Sequence, residues 1–214
     1  MRGPWTCLLL AVIAGCGAAN PGNKAPDSDV DGGLDAVSAS GGACNAVVTH
    51  ETPLQPASHV PQGAPLTFSS NPPSSGAHYP QPADWALEYP IVIDRGNYLH
   101  NEEHGGIAML YDCPGGCQDV ADGLAAIGQA LPQDPACDGL DNGLGPVNAR
   151  WLVTADPELP DGVQVAAAAW GWTYKADCLD PITLGEFIRE HYAQGGSDRT
   201  NCKPPVDTGS GSGA

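Results

Sequence analysis

The stretch Tyr98–Tyr111, Y-L-H-N-E-E-H-G-G-I-A-M-L-Y, places two histidines four residues apart and then runs into an apolar segment. His100 and His104 flank a pair of carboxylates, and two imidazoles this close in sequence can share one metal ion. A carboxylate such as Glu103 can bind the same ion or hold the second ring N–H of a histidine. The two glycines that follow predict a turn, which leads into a strand at Ile107–Tyr111.

Downstream of this stretch the hydrophobic pattern acquires the period of a helix, with apolar residues at intervals of four, three and four. These residues are Val120, Leu124, Ile127 and Leu131. Strands are predicted next at Ala149–Thr154 and Val163–Trp172. Asp180-Pro181 then supplies an N-cap and a first-turn proline for a helix that ends near Ala193. The second half therefore predicts the order β-α-β-β-α.

The first half of the chain is rich in proline and is interpreted as an irregular cover. Asn71–Pro80 cannot form a helix or a central strand, because its prolines lack backbone donors and push their neighbours to extended geometry. We interpret it as a rigid loop that presents His78. Short strands are predicted at Leu66–Ser69 and Glu88–Ile93. The whole pattern predicts a single α/β (α+β) domain, with this loop-rich half covering the sheet.

The start of the chain has the features of an export signal. Residues 1–15 combine a basic start with an apolar run that is too short to span a bilayer. Ile13–Cys16 resembles a bacterial lipobox, which predicts cleavage before Cys16 and lipidation of that cysteine. We therefore expect an exported protein of the bacterial cell envelope, lipid-anchored to the membrane on its periplasmic or surface side. Ordinary secretion with Cys16 as a spare thiol is the alternative.

Composition sets the boundaries of the domain. Residues 16–42 and 203–214 are small and polar, which predicts a flexible acidic linker and a disordered tail around one globular domain at 43–202. The net charge of −17 repels phosphate backbones, so nucleic acid is not an expected partner. The membrane is the one partner that the sequence indicates, through the lipid, and the sequence names no protein partner.

The cysteines predict a disulfide-linked domain. Of the eight cysteines, Cys7 would leave with the signal and Cys16 would carry lipid, which leaves an even number. In an exported protein these predict three disulfides whose pairing the sequence leaves open. The candidates are Cys44, Cys113, Cys117, Cys137, Cys178 and Cys202.

Several motifs resemble the bacterial domain of unknown function 3105 family, over roughly residues 55–197. They are P-P-S-S-G-A-H at Pro72–His78, H-N-E-E-H-G-G at His100–Gly106, A-W-G at Ala169–Gly171, F-I-R-E-H-Y-A-Q-G at Phe187–Gly195, and His59-Val60 for an H-V element. The family pattern reads P-P-T-S-G-P-H and H-N-L-E-H-G. This sequence differs by having Glu102 at a usually apolar position and by cysteines that the pattern does not require. The resemblance implies no established activity.

The resemblance implies a recurrent set of four histidines, His59, His78, His100 and His104. Imidazoles from separate loops would suit one copper or zinc ion, with Glu103 as a ligand or as the group that orients a ligand, and with Met109 as a soft contact for copper. We hypothesise an extracytoplasmic lipoprotein that binds this ion. The non-enzymatic alternative is an envelope interaction module braced by a histidine hydrogen-bond network. The other histidines, His50 and His191, are interpreted as surface or packing residues.

Enzymatic alternatives remain open, although the sequence favours a non-enzymatic role. His100–His104 fits H-x-x-E-H, in which two histidines hold zinc and the glutamate activates water. That chemistry requires a helix, and the predicted turn argues against one.

A third interpretation rests on Cys113–Cys117, C-P-G-G-C, between a strand and a helix. This arrangement locally resembles the thioredoxin-like copper-delivery proteins of oxidase assembly, and it is compatible with copper binding or thiol exchange. The even number of cysteines favours structural disulfides instead.

Overall fold

The computed structural model of the chain describes residues 35–38, 44–113, 115–196 and 202, which belong to one compact unit. The predicted signal segment, the lipobox cysteine and the tail at 203–214 lie outside the described residues. None of the described helices combines the length and the apolar character that crossing a bilayer requires.

The described part of the chain contains nine strands and three α-helices. The strands are β1 (Asp35–Ser38), β2 (Val47–His50), β3 (Ser58–His59), β4 (Ala77–His78), β5 (Leu87–Glu88), β6 (Ile107–Tyr111), β7 (Trp151–Ala155), β8 (Val165–Ala169) and β9 (Trp172–Ala176). The helices are α1 (Arg95–Glu103), α2 (Gln118–Gln129) and α3 (Pro181–His191), and a 3-10 turn spans Pro135–Cys137.

The described strands form one seven-stranded sheet in the order β1-β2-β9-β8-β6-β7-β5, with β3 and β4 as a separate pair. In the sheet, β6 and β5 run parallel to β7, and the remaining pairs are antiparallel. α2 connects β6 to β7, as a parallel crossover requires. The predicted mixed α+β class is confirmed.

The core lies on both faces of β6, β7 and β8, because successive side chains of a strand point to opposite faces. Ile107 and Met109 of β6 pack with residues of α2 and α3 in one hydrophobic cluster. Ala108 and Leu110 pack with Tyr98 of α1 in another. The helix that carries His100 therefore lies on the opposite side of the sheet from α2 and α3.

Both helices predicted from their apolar period or cap are confirmed. α2 begins two residues before the apolar period, at Gln118, and ends at Gln129. Asp180 caps α3 by accepting a hydrogen bond from the backbone N–H of Ile182, with Pro181 in the first turn. The Val163–Trp172 prediction is wrong as a single strand, because the chain reverses at Gly171, whose φ is +82°. Val165–Ala169 forms β8, and Trp172 begins β9, which pairs with β8 as a hairpin.

The expectation that His100–His104 lies outside a helix is wrong, because His100 and Glu103 lie in α1, whereas the turn at the glycines forms at His104 and Gly105. The strand predicted at Glu88–Ile93 is also wrong, since only Glu88 of it lies in a strand. Asp94 begins α1 by accepting a hydrogen bond from the backbone N–H of Gly96, and the helix continues to Glu103. No strand forms at Leu66–Ser69. A further difference is β1, which lies inside the predicted linker and pairs with β2.

The described cysteines form three disulfides, which settles the pairing that the sequence left open. They are Cys44–Cys178, Cys113–Cys117 and Cys137–Cys202. The first joins the segment before β2 to the segment after β9, and the third ties Cys202 to the 3-10 turn. Disulfides of this kind are typical of proteins from oxidising, non-cytoplasmic compartments.

Two glycines, one in α2 and one in α3, differ in how closely their surroundings pack. A Cβ at Gly128 would lie 2.4 Å from the buried ring of Trp151, whereas a Cβ at Gly185 of α3 would meet nothing within 4 Å. We expect Gly128→Ala to lower the free energy of unfolding by about 1–3 kcal/mol through overpacking. Gly185→Ala should raise it by about 0.5–1 kcal/mol by restricting the unfolded chain. Denaturant titration of both variants measures this, and equal effects would contradict the packing.

Candidate metal centre

The parallel pair β3-β4 brings two histidines from separate loops side by side, since His59 lies opposite His78 in its register. The loop after β4 then contacts α1, where the N–H of Tyr79 donates to the carbonyl of Gly96. As a result, the ring centroids of His59, His78 and His100 form a near-equilateral triangle with sides of 4.8–5.0 Å.

α1 places two histidines and a carboxylate on the same side of one helical turn. Nε2 of His100 lies 3.0 Å from Nε2 of His104, with the two rings stacked. Oε2 of Glu103 lies 3.0 Å from Nε2 of His78. The helix thus brings these side chains close together.

Backbone carbonyls fix the orientation of two of the rings. Nδ1 of His78 donates to the carbonyl of Gly76 at 2.9 Å, and Nδ1 of His100 donates to the carbonyl of Tyr79 at 2.7 Å. Nε2 of His78 therefore lies beside Glu103, and Nε2 of His100 lies beside His104. This is the arrangement by which proteins select the ligating nitrogen of a metal-bound histidine.

Burial keeps His100 uncharged. It is the largest cause of a pKa lowered to about 4, to which the neighbouring His78, His104 and His59 also contribute against the opposing effect of the Tyr79 carbonyl. His100 is thus neutral at pH 7, the form that binds metal ions. His78 is fully buried, and its Nε2 has no hydrogen-bond partner of good geometry among the described residues.

Four side chains, from His59, His78, His100 and Glu103, offer ligand atoms that all lie within 4.8 Å of one another. Two atoms bound about 2.0–2.1 Å from one ion lie about 2.9–3.4 Å apart at angles of about 90–110°. The 3.0 Å separation of His78 and Glu103 already fits this range. The other ligand atoms, which lie up to 4.8 Å from one another, would move closer together on binding one ion.

The two other predicted ligands lie outside this group of four. His104 contacts the ring of His100 but is not one of the four side chains. The carbonyl of His104 accepts a 2.6 Å hydrogen bond from Nη1 of Arg150. Met109 belongs to the cluster on the opposite face of the sheet. The structure therefore does not bring Met109 to the histidines.

Arg150 and its partners hold the end of α1 against the rest of the domain. The guanidinium pairs with Asp134 at 3.0 Å, and the hydroxyl of Tyr192 donates to the same carboxylate at 2.6 Å. The backbone N–H of Arg150 donates in turn to that hydroxyl. This network connects His104 to the residues that follow α3.

Gly195, which follows α3, and Trp170, which follows β8, lie next to the site. A Cβ at Gly195 would lie 2.2 Å from the nitrogen of Gly105, so only glycine allows this approach. The ring of Trp170 stands edge-on to His78, with centroids 6.1 Å apart. Sequence reasoning interpreted none of these residues as part of the site, although the A-W-G motif and the motif ending in Gly195 both contain one.

The fold and this group define an α+β domain that gathers imidazoles and a carboxylate between one helix and a short parallel strand pair. The chain belongs to the family described as Protein of unknown function (DUF3105), whose model matches residues 59–204. The match confirms the resemblance seen in the motifs, and it begins at His59. Comparison with curated proteins and with solved structures gives no match.

Glu102, which lies in the H-N-E-E-H-G-G motif beside Glu103, does not join the group of four. Its side chain is fully buried, and neither carboxylate oxygen has a hydrogen-bond partner among the described residues. Burial, with a smaller effect of Glu51, raises its pKa well above the ordinary value. Glu51, by contrast, accepts hydrogen bonds from Ser69, Ser70 and Ser74. Glu102 therefore occupies a position suited to the apolar residue of the family pattern.

We expect Glu102→Leu to stabilise the domain by about 1–3 kcal/mol, because it removes a buried carboxyl group that lacks partners. Glu102→Gln is the matched control, since its amide stays polar and buried and should gain less. Denaturant titration of the full chain measures both. A loss of stability in Glu102→Leu would show that the carboxyl group has a compensating interaction.

Proposed function

We propose that the chain binds one copper or zinc ion through His59, His78, His100 and Glu103. The observation that carries this is the convergence of four ligand atoms within 4.8 Å, from elements that are distant in sequence. Three imidazoles and one carboxylate form a nitrogen-rich donor set, which suits Zn(II) or Cu(II) better than Mg(II) or Ca(II). His104 lies beside the site as a further nitrogen that contacts His100.

The alternative interpretation, a structural hydrogen-bond network of histidines, explains the same residues less well. A buried network is stabilising only when every polar atom in it has a partner. His78 directs a buried Nε2 at Glu103 without hydrogen-bond geometry. A bound ion would give Nε2 of His78 the partner that the network does not supply.

We propose further that the domain works outside the cytoplasm and is tethered by lipid at Cys16. The three disulfides of the described cysteines support an oxidising compartment. The lipobox pattern supports the anchor. Mass spectrometry of the membrane fraction tests this, since Cys16 should carry acyl chains that are absent from Cys16→Ser.

Metal content tests the central proposal. The full chain, exported in a bacterial host, is equilibrated with copper or zinc, dialysed and measured by plasma mass spectrometry. We expect about one ion per chain, lost in His78→Gln and His100→Gln because each removes a ligand that the backbone orients. His59→Gln, at an exposed position, should weaken binding without disturbing the core.

The matched control is His50→Gln, because it removes an imidazole that stacks on Trp172 rather than one that joins the group. It should keep its ion. A wild-type chain that retains no copper or zinc, or a loss in His50→Gln equal to that in His100→Gln, would overturn the proposal. Circular dichroism of each variant separates loss of binding from loss of folding.

Zinc-dependent hydrolysis is a second candidate, because the structure removes the reason for setting it aside. His100 and Glu103 lie in a helix rather than in a turn, and Nε2 of His104 lies 3.0 Å from that of His100. In this scheme the histidines hold zinc and Glu103 activates water. A catalytic zinc, however, keeps one position open for water. The convergence of His59 and His78 on the same place favours binding over catalysis.

The two candidates predict different behaviour of Glu103→Gln. If the site only binds metal, the zinc-loaded wild type will leave a broad peptide library intact, and Glu103→Gln will lower metal affinity. If the site is catalytic, the wild type will cleave peptides and Glu103→Gln will abolish cleavage. Glu102→Gln is the control for the neighbouring carboxylate. We expect no cleavage by any of the three proteins.

A further inference from the structure

The Cys113–Cys117 disulfide differs from the other two in position and in accessibility. Its cysteines are separated by 4 residues, compared with 134 for Cys44–Cys178 and 65 for Cys137–Cys202. A bond that closes so short a loop restricts the unfolded chain least. Structural stabilisation therefore explains this disulfide less well than the other two.

Both cysteines of this pair are partly exposed, although they also pack against the hydrophobic core. Cys137 and Cys202 are almost completely buried, and in Cys44–Cys178 only Cys178 is partly exposed. Gly115 and Gly116, which lie between Cys113 and Cys117 in sequence, have open space where a side chain would be. A thiol of another molecule can therefore approach the bond without displacing described parts of the domain.

Cys117 occupies the N-cap of α2, and its side chain makes no capping hydrogen bond. The unpaired N–H groups and the dipole at a helix N-terminus stabilise a thiolate. Asp112 and Asp119, which flank the pair in sequence, oppose this effect. Cys117 is thus the better leaving group, and attack at Sγ of Cys113 is favoured.

The pair is also separate from the metal centre. His104 precedes the start of β6, and Cys113 follows its end at Tyr111. A five-residue strand advances about 3.3 Å per residue, so roughly 15 Å separates the two places. The group of four ligands contains no cysteine.

We propose that Cys113–Cys117 is a redox-active disulfide that oxidises dithiols of exported polypeptides. A substrate thiolate attacks Sγ of Cys113, the Sγ–Sγ bond breaks, and Cys117 leaves as a thiolate. The second substrate thiolate attacks the substrate sulfur of the mixed disulfide and releases Cys113. The substrate gains a disulfide, and the pair takes up the two electrons and the two protons of the substrate thiols. This activity does not depend on the proposed metal site.

The test uses the full chain and a synthetic peptide that carries two reduced cysteines. Free thiols are alkylated after mixing and assigned to individual cysteines by mass spectrometry. We expect one peptide disulfide for each chain, with Cys113 and Cys117 becoming alkylated while the four cysteines of the other two disulfides stay oxidised. The double variant Cys113→Ser/Cys117→Ser should leave the peptide reduced, and so should Cys117→Ser alone, because it has no disulfide for the peptide thiolate to attack.

Two results would overturn the proposal. One is a peptide that stays reduced while Cys113–Cys117 stays oxidised. The other is reduction of all three disulfides together in graded glutathione buffers, which would make this bond structural like the others. Metal content measured on the double variant keeps the two proposals apart, because it should equal that of the wild type whichever result is found here.

Discussion

Burial of a polar helix is the constraint on which the rest of this domain depends. Seven of the nine residues of α1 are buried, and they include a histidine, an asparagine and two glutamates. Such groups are costly to bury unless each finds a partner. Asn101 exchanges two hydrogen bonds with the backbone of Ala83, and His100 donates to Tyr79. The loop-rich first half of the chain thus supplies the backbone groups that this helix requires.

The elements that the sequence predicted correctly are those whose local pattern agrees with their burial. α2 shows an apolar period of three and four, and α3 has both an N-cap aspartate and a first-turn proline. α1 has no apolar period, because its buried face is polar, and periodicity therefore could not find it. Asp94 was the available signal, since an aspartate before a helix can satisfy its first N–H groups.

In the candidate site too, the residues could be predicted from local motifs, whereas their long-range contacts could not. The histidines and Glu103 were predicted from their motifs, but their convergence depends on the parallel pairing of β3 with β4, which joins residues about 20 positions apart. Met109 was assigned to the site because it follows the histidines closely in sequence. A strand alternates its side chains between faces, and Met109 points to the wrong one.

Further residues that position the site follow α3, where the signal in the sequence was the motif that ends in Gly195. Gly195 contacts Gly105 closely enough to exclude any side chain, and the N–H of Ala193 donates to the carbonyl of Gly105 at 2.9 Å. The segment after α3 therefore docks on the end of α1. The family motifs, read together, would have linked these segments, because each one contributes a residue to the same place.

The exposure of the four ligands in the proposed site differs in a way that bears on how an ion is exchanged. His78, His100 and Glu103 are buried, whereas His59 is exposed on β3. If the proposed site binds an ion, that ion would meet His59 first on entering from solvent and would lose its remaining water as the buried ligands replace it. The carboxylate of Glu103 would offset part of the charge of a divalent ion, which would lower the cost of burying it. Retention would then depend on the buried ligands and the rate of exchange on His59, so this geometry would suit an ion that is passed on as well as one that is kept.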